Sequence, residues 1–490
     1  MFRRIILALA SVIGLTAAAH AADLDLGSLK DPLPDGPLTW RGITLYGAID
    51  VGVTYQTHGA PLSGALGAGL EYTLAVPSSN NLHVKNLWSI APDGLSSSFV
   101  GLKMEEALGF GWSAVAKIET AFLPTSGELS DGCASLARDN GLSQYAQTTK
   151  GDSSRCGQAL NGPVYVGMSN AAYGTLTLGR QNSLMLDANA AYDPQRMSFA
   201  FSLLGYSGGT DGTGDTESSR WDDSVKYVYQ YGPFHAAAMY TDGGAGTSIF
   251  GGAYGFNAGV SWRGFSIDSV YDKAKGVVAS TSLPVGSPFC TGGVCPTNLL
   301  GATISDNEAW GVMGKYSFEL GGGYKDSGPT SRLTLYAGFE NITYSDPSSA
   351  VPAGMTTIGG YILATTNNLA YRTDKTVEIY WTGASYETGP WRASLAYYGE
   401  HQNDWLTSSK LTSCASATAA NKASHTFIGN TIGSNCSGNY DAASFVVDYT
   451  YNKHFDTYAG VQYSAVNGGF ESGFLQNNTT SVMTGIRLKF

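Results

Sequence analysis

The sequence predicts an all-β protein, a sixteen-stranded antiparallel barrel that crosses a membrane with its strands. Three observations carry this. Segments of roughly ten residues alternate apolar and polar side chains, the period of a strand with one greasy and one wet face. Their connections are alternately short turns and long polar loops. Charged residues keep to one parity in strand after strand, where a dry core would charge several kcal/mol for each unpaired one. An even number of antiparallel strands with that asymmetry describes an outer-membrane barrel.

The elements follow in order. The first 22 residues read as a secretory signal peptide: Arg3 and Arg4 precede an apolar run, Ile5 to Ala19, and Ala19-His20-Ala21 fits a small-x-small cleavage site. Residues 23–40 are Pro/Gly/Asp-rich and aperiodic, an extended lead-in. The barrel is expected over 41–490. Its strands are read at 43–55, 97–107, 112–122, 163–172, 175–184, 221–231, 234–242, 253–263, 265–275, 308–320, 332–345, 376–387, 391–403, 440–453, 455–466 and 480–490. Short turns fall at Leu108-Gly-Phe-Gly111, Tyr173-Gly174, Gly232-Pro233, Gly264, a Gly-rich stretch after Leu320, Gly389-Pro390 and His454. If the sheet closes, the last segment, "SVMTGIRLKF", pairs with the first and cannot fray.

Composition agrees. The chain has 63 Gly, 29 Tyr and only 14% charged residues, against about 25% in an ordinary soluble protein. No window outside the leader holds about 18 apolar residues without charge, so no transmembrane helix is expected. A net charge of −11, without a basic stripe, argues against nucleic acid as a partner. The six cysteines fall in the long loops as Cys133/Cys156, Cys290/Cys295 and Cys414/Cys436. In an exported chain these read as local disulfides. Cys290 and Cys295 have no partner Cys or His at ligand spacing; no metal and no cofactor is expected.

Parity assigns the faces. Val100, Leu102, Leu333, Leu335, Phe339, Val377, Ile379, Trp381, Phe445 and Val447 read as lipid-facing. Lys103, Glu105, Lys117, Glu119, Lys226, Asp268, Lys315, Glu340, Glu378, Arg392, Asp448 and Arg487 read as facing a polar lumen. Trp112, Trp221, Tyr229, Tyr231, Trp262, Trp391, Tyr449 and Tyr451 sit near strand ends and suggest interfacial girdles.

Leu45-Tyr46-Gly47, Ser98-Phe-Val-Gly-Leu-Lys103, Tyr165-Val-Gly-Met, Tyr173-Gly-Thr-Leu-Thr-Leu-Gly-Arg-Gln181 and the terminal Phe490 resemble the Gram-negative general porins. The resemblance implies a homotrimer in the outer membrane, in contact with its lipid, that passes small hydrophilic solutes and ions. It also implies that Phe490 is the signal read by the barrel-assembly machinery, and that the third long loop, about 182–220, folds into the lumen. The loop acids would be Asp187, Asp193, Asp211, Asp215 and Glu217, set against Lys103, Lys117, Arg180 and Lys226 on the wall. Strict alternation puts Arg180 on the lipid face unless a bulge at Gly179 re-aims it. The family's Pro-Glu-Phe-Gly-Gly stretch and its arginine ladder are absent.

Rival chemistry lacks context. Gly205-Tyr-Ser-Gly-Gly209 matches a nucleophile pattern but has no strand before it or helix after it. Gly64-Ala-Leu-Gly-Ala-Gly69 has no βαβ unit around it. The acids of 210–217 lack EF-hand spacing. No enzyme is expected. The acidic balance points to a mild cation preference. The alternative is a substrate-specific channel or a surface-exposed binding barrel, built on the eight long loops.

Overall fold

The computed structural model describes residues 37–57, 86–142, 155–204, 219–292, 294–321, 331–405, 435–469 and 478–490. The expected signal peptide, nearly all of the lead-in, Gly64–Gly69, Gly205–Gly209, the acids of 210–217 and Cys414 lie outside them. The chain divides after Leu38, and Thr39–Phe490 is the barrel unit.

Sixteen strands close the barrel. They are β1 Ile43–Gln56, β2 in two pieces (Leu87–Pro92 and Phe99–Gly109), β3 Trp112–Ala121, β4 Val164–Asn170, β5 Gly174–Asn182, β6 Arg220–Tyr231, β7 Phe234–Thr241 and β8 Ala253–Trp262. The second half comprises β9 Phe265–Thr281, β10 Leu299–Leu320, β11 Ser331–Ser345, β12 Lys375–Thr388, β13 Trp391–Gln402, β14 Gly438–Asn452, β15 Phe455–Gly468 and β16 Asn478–Lys489. Successive strands pair antiparallel, and β16 returns to β1 with Ala48 opposite Lys489 and Gln56 opposite Ser481. Past the last strand, Phe490 exchanges backbone hydrogen bonds of 2.9 and 3.1 Å with Gly47. A Cβ on Gly47 would lie 2.6 Å from the Phe490 ring, so this close approach needs glycine. Closure leaves no sheet edge, the condition for strands to cross lipid.

The alternation sorts the faces mostly as expected. Leu102, Leu335 and Phe445 are exposed outward, while Asp268, Glu340, Arg392 and Asp448 are buried inward. Strand β12 departs. Val377, Ile379 and Trp381 are buried on the inner face, and Glu378 shares the outer parity with exposed Tyr380. Trp221 likewise is fully buried rather than interfacial. The reason is common to both. These side chains belong to an apolar cluster inside the barrel that seats a loop helix, with Leu184, Met185, Ala188 and Tyr192. Girdle aromatics that do face out crowd the short-turn end: Trp391 meets Tyr449 at 4.6 Å, and Tyr449 meets Tyr451 at 4.7 Å.

Three strands run differently from the sequence reading. β9 and β10 extend to Thr281 and back to Leu299, past a register shift between Ala274 and Val277. These extensions are small and Ser/Thr-rich, so they looked like loop. β2 begins at Leu87 but breaks at 93–98. The Asp50 carboxylate of β1 holds the break open by accepting the N–H groups of Leu95 (2.8 Å) and Ser96 (3.0 Å).

Truncating Trp381 to alanine would empty the centre of the inner cluster, at a cost of about 3–5 kcal/mol. Trp381→Ala should lower the temperature at which the folded band is lost on unheated SDS gels; an unchanged temperature would contradict the buried seat.

Candidate functional site

The third long connection joins β5 to β6 and turns into the barrel at once. Ser183 caps a helix, α2 (Leu184–Tyr192), by accepting the Leu186 N–H at 3.1 Å. Such a cap satisfies one of the free donors of the first turn. The helix buries Leu184, Met185, Ala188 and Tyr192 in one cluster with Val270, Met313, Ile342, Ile379 and Trp381 of the inner wall.

Polar contacts place it along that wall. The Met185 N–H donates to Asp272 of β9 at 3.2 Å, and the Asn189 amide donates to Glu340 of β11 at 3.0 Å. The Tyr192 hydroxyl meets Ser266 at 2.6 Å and also donates to Asp268. The Trp381 indole N–H donates to the Tyr192 carbonyl at 3.1 Å. Lys315 donates to the Ala191 carbonyl at 2.8 Å and lies over the Tyr192 ring.

Beyond the helix the chain continues round the wall. The Asp193 carboxylate accepts the Tyr398 hydroxyl of β13 and the N–H groups of Gln195 (3.0 Å) and Met197 (2.6 Å). Burial pushes that carboxyl up from its usual range, and these donors pull against the push. Gln195 reaches Ser394 at 2.6 Å and Ser444 at 3.1 Å. Arg196 pairs with Glu387 at 2.7 Å. Finally the Ala200 N–H donates to Gly94 in the β2 break at 3.0 Å, and Phe201 lies edge-on to Tyr458 of β15. Gly94 is required there: a Cβ would lie 2.1 Å from the Tyr458 hydroxyl. The loop thus skirts β9 to β15 and ends where β1 and β16 meet.

The residues singled out from sequence fall as follows. Asp187 and Lys226 meet directly as an ion pair, with Lys226 also donating to the Asn182 carbonyl at 3.1 Å. Asp193 is buried in the contacts above. Asp211, Asp215 and Glu217 lie outside the described residues. Lys103 and Lys117 are directly opposite each other in the β2–β3 register. Lys117 pairs with Glu119 at 3.1 Å, and the Tyr46 hydroxyl donates to the same Glu119 at 3.0 Å. Arg180 is off the lipid face: it pairs with Asp222 at 2.6 Å and is buried. A register shift does occur between Gly179 and Gln181, at a glycine with φ of 133°. Cys133–Cys156 and Cys290–Cys295 are bridged, and Cys436 is also disulfide-bonded. No group of three or more metal-ligating side chains occurs among the described residues.

Sequence reasoning missed the docking partners Tyr398, Ser394, Ser444 and Asp272. They are lone polar residues in strands, and only the loop's path gives them a role. Below the helix, toward the short-turn end, a pocket of about 590 Å³ is lined by Tyr192, His235, Asp268 and Lys315 among others. His235 contacts Asp268 at 2.7 Å.

Two opposite shifts should follow from splitting the loop–wall ion pair. Lys226→Met leaves Asp187 uncompensated and should move the reversal potential in asymmetric KCl toward cations. Asp187→Asn removes the carboxylate that Lys226 pairs with and should move it toward anions. No change in either variant would place the pair off the ion path.

A family profile described as Gram-negative porin matches residues 8–469. No curated protein matches the chain in sequence. Among solved structures, the chain is similar to a loop L8 deletion mutant of OmpT, an outer membrane protein of Vibrio cholerae, at 12% identity and a TM-score of 0.51, over 91% of this chain and 99% of that one. The trimer form of in-vitro folded OmpT from the same organism gives 12% identity and a TM-score of 0.50, over 91% and 99%. The outer membrane channel DcaP of Acinetobacter baumannii gives 14% identity and a TM-score of 0.44, over 91% and 97%. At 12% identity the two OmpT structures speak to the fold alone. With a closed sixteen-stranded barrel, a loop folded along its inner wall and a profile match over nearly the whole chain, the protein belongs to the Gram-negative porin family of the outer membrane.

Proposed function

We propose that the protein forms a water-filled channel for passive diffusion of small hydrophilic solutes and ions, and catalyses no reaction. The observation that carries this is the course of residues 183–204 inside a closed barrel. A loop pinned to one arc of the wall narrows a lumen while leaving the other arc uncovered. Away from the loop's contacts, β1 to β3 present Tyr46, Lys103, Lys117 and Glu119, while Lys226 of β6 is taken up by Asp187 of the loop. Selectivity then comes from size and from the charges at the narrowing.

A mild preference for cations is part of this reading. It is supported by 39 acidic against 28 basic residues; Lys103 and Lys117 oppose it locally and keep it small. Assembly as a homotrimer is supported by the trimer form of the Vibrio cholerae protein. An exported precursor with a cleaved leader, and Phe490 as the mark read by the assembly machinery, complete the proposal. A substrate-specific channel is the second reading. It is favoured by the pocket beside Tyr192, where Lys315, His235 and Asp268 could retain a small polar solute.

Purified protein added to planar bilayers should give stepwise ohmic conductance and a cation-directed reversal potential in asymmetric KCl. A chloride-directed value would overturn the cation preference. Absence of conductance from folded protein would overturn the channel. Saturable block by one sugar or anion would favour the second reading.

A further inference from the structure

The second and sixth long loops meet, although their strands stand on opposite walls. The second joins β3 to β4 and the sixth joins β11 to β12; from β3 to β11 is eight steps in a ring of sixteen. Contact between them therefore crosses the mouth at the long-loop end.

The contact is a dry core. The second loop carries a short helix, α1 (Gly132–Arg138), and the Cys133–Cys156 bridge. The sixth carries a small hairpin, Thr357–Ile358 with Tyr361–Asn367, whose second strand runs parallel to Leu299–Thr303 of β10. Cys133, Leu136 and Cys156 cluster with Val278, Leu300 and Ile358, all at most 5% exposed. Polar contacts fix the register. The Tyr361 hydroxyl donates to Asp131 at 3.0 Å, while the other oxygen of Asp131 caps α1 by accepting the Ala134 N–H at 3.0 Å. The Asn140 amide donates to the Leu299 carbonyl at 2.7 Å, and its oxygen accepts the Leu283 N–H at 2.7 Å. The surfaces are tightly fitted: a Cβ on Gly359 would lie 1.2 Å from the Cys156 carbonyl oxygen.

Packed apolar side chains exclude water as a protein interior does. Material of this kind spanning a mouth blocks it to hydrated solutes and leaves only the openings beside it. We infer that the bridge is a second size filter, ahead of the inner loop, which rejects bulky hydrophilic polymers such as oligosaccharides arriving from the long-loop side. The Cys133–Cys156 bond locks the filter by limiting the excursions open to the second loop. The inference rests on the channel reading and adds to it a direction: the two ends of one pore differ in what they admit.

The test uses the whole protein in planar bilayers, with polyethylene glycols of graded mass added to one side at a time. Entry of a polymer lowers the conductance. The wild-type channel should exclude smaller polymers from the long-loop side than from the short-turn side. Adding a phosphine reductant should abolish this asymmetry. Cys133→Ser/Cys156→Ser should lack it from the start and not respond to the reductant, and Ile358→Asp should lack it as well. Equal cutoffs from the two sides of a conducting wild-type channel would overturn the filter while leaving the channel intact. A wild-type protein that folds but does not conduct would overturn the channel reading, and the filter with it. The wild-type asymmetry needs no variant to fold.

Discussion

A stretch of chain without a sheet can lie inside a membrane-spanning barrel only if its backbone finds partners and its apolar side chains find a dry seat. Residues 183–204 meet both conditions on one wall. Their backbone groups bond to Asp272, Lys315, Trp381 and Gly94. Their apolar face rests on Ile342, Ile379 and Trp381. The wall under the loop is therefore specialised: an apolar seat at Ile342, Ile379 and Trp381, set among polar groups such as Asp272, Glu340 and Lys315 that bond the loop. That seat shapes the lumen, and the strand sequences supply both its apolar and its polar parts.

Charge follows the same logic. A carboxylate at the loop–wall contact is expensive unless it is bonded. Asp193 answers with Tyr398 and two backbone amides, and Asp187 with Lys226. Closure brings a comparable set together at the seam, where Asp456 accepts both Arg487, at 2.9 Å, and Lys489, at 2.6 Å. Formal charge counted along the chain overstates what a passing ion meets, because much of it is already spent between loop and wall.

Much of the fold was legible because a barrel in lipid enforces a period of two and a simple alternation of connections. Strand number and the short turns follow from those, while the inward course of the third loop is what the resemblance to the porins implied. Arg180 shows the rule working through its exception: alternation points it at lipid, Gly179 permits a bulge, and the strand bulges there. What stayed hidden depends on contacts between distant segments. Val377, Ile379 and Trp381 look like a lipid stripe, since nothing within β12 says that a helix waits inside. Trp221 at the start of β6 looks interfacial for the same reason. The β2 break is written in Asp50, on the preceding strand, whose carboxylate accepts the Leu95 and Ser96 N–H groups, and nothing local to 93–98 announces it. Asp193 looks like an eyelet acid, and only Tyr398 makes it an anchor.

The partners of residues 183–204 come from β2, β6, β9, β10, β11, β12, β13, β14 and β15, and the last of them, near Gly94 and Tyr458, sit together only once β16 has met β1. Contacts so remote in sequence form late. A barrel whose ends have not yet joined lacks the last anchors of its inner loop, those of Ala200 and Phe201. A cell that inserts such a chain into its outer wall has reason to finish the seam before letting it go.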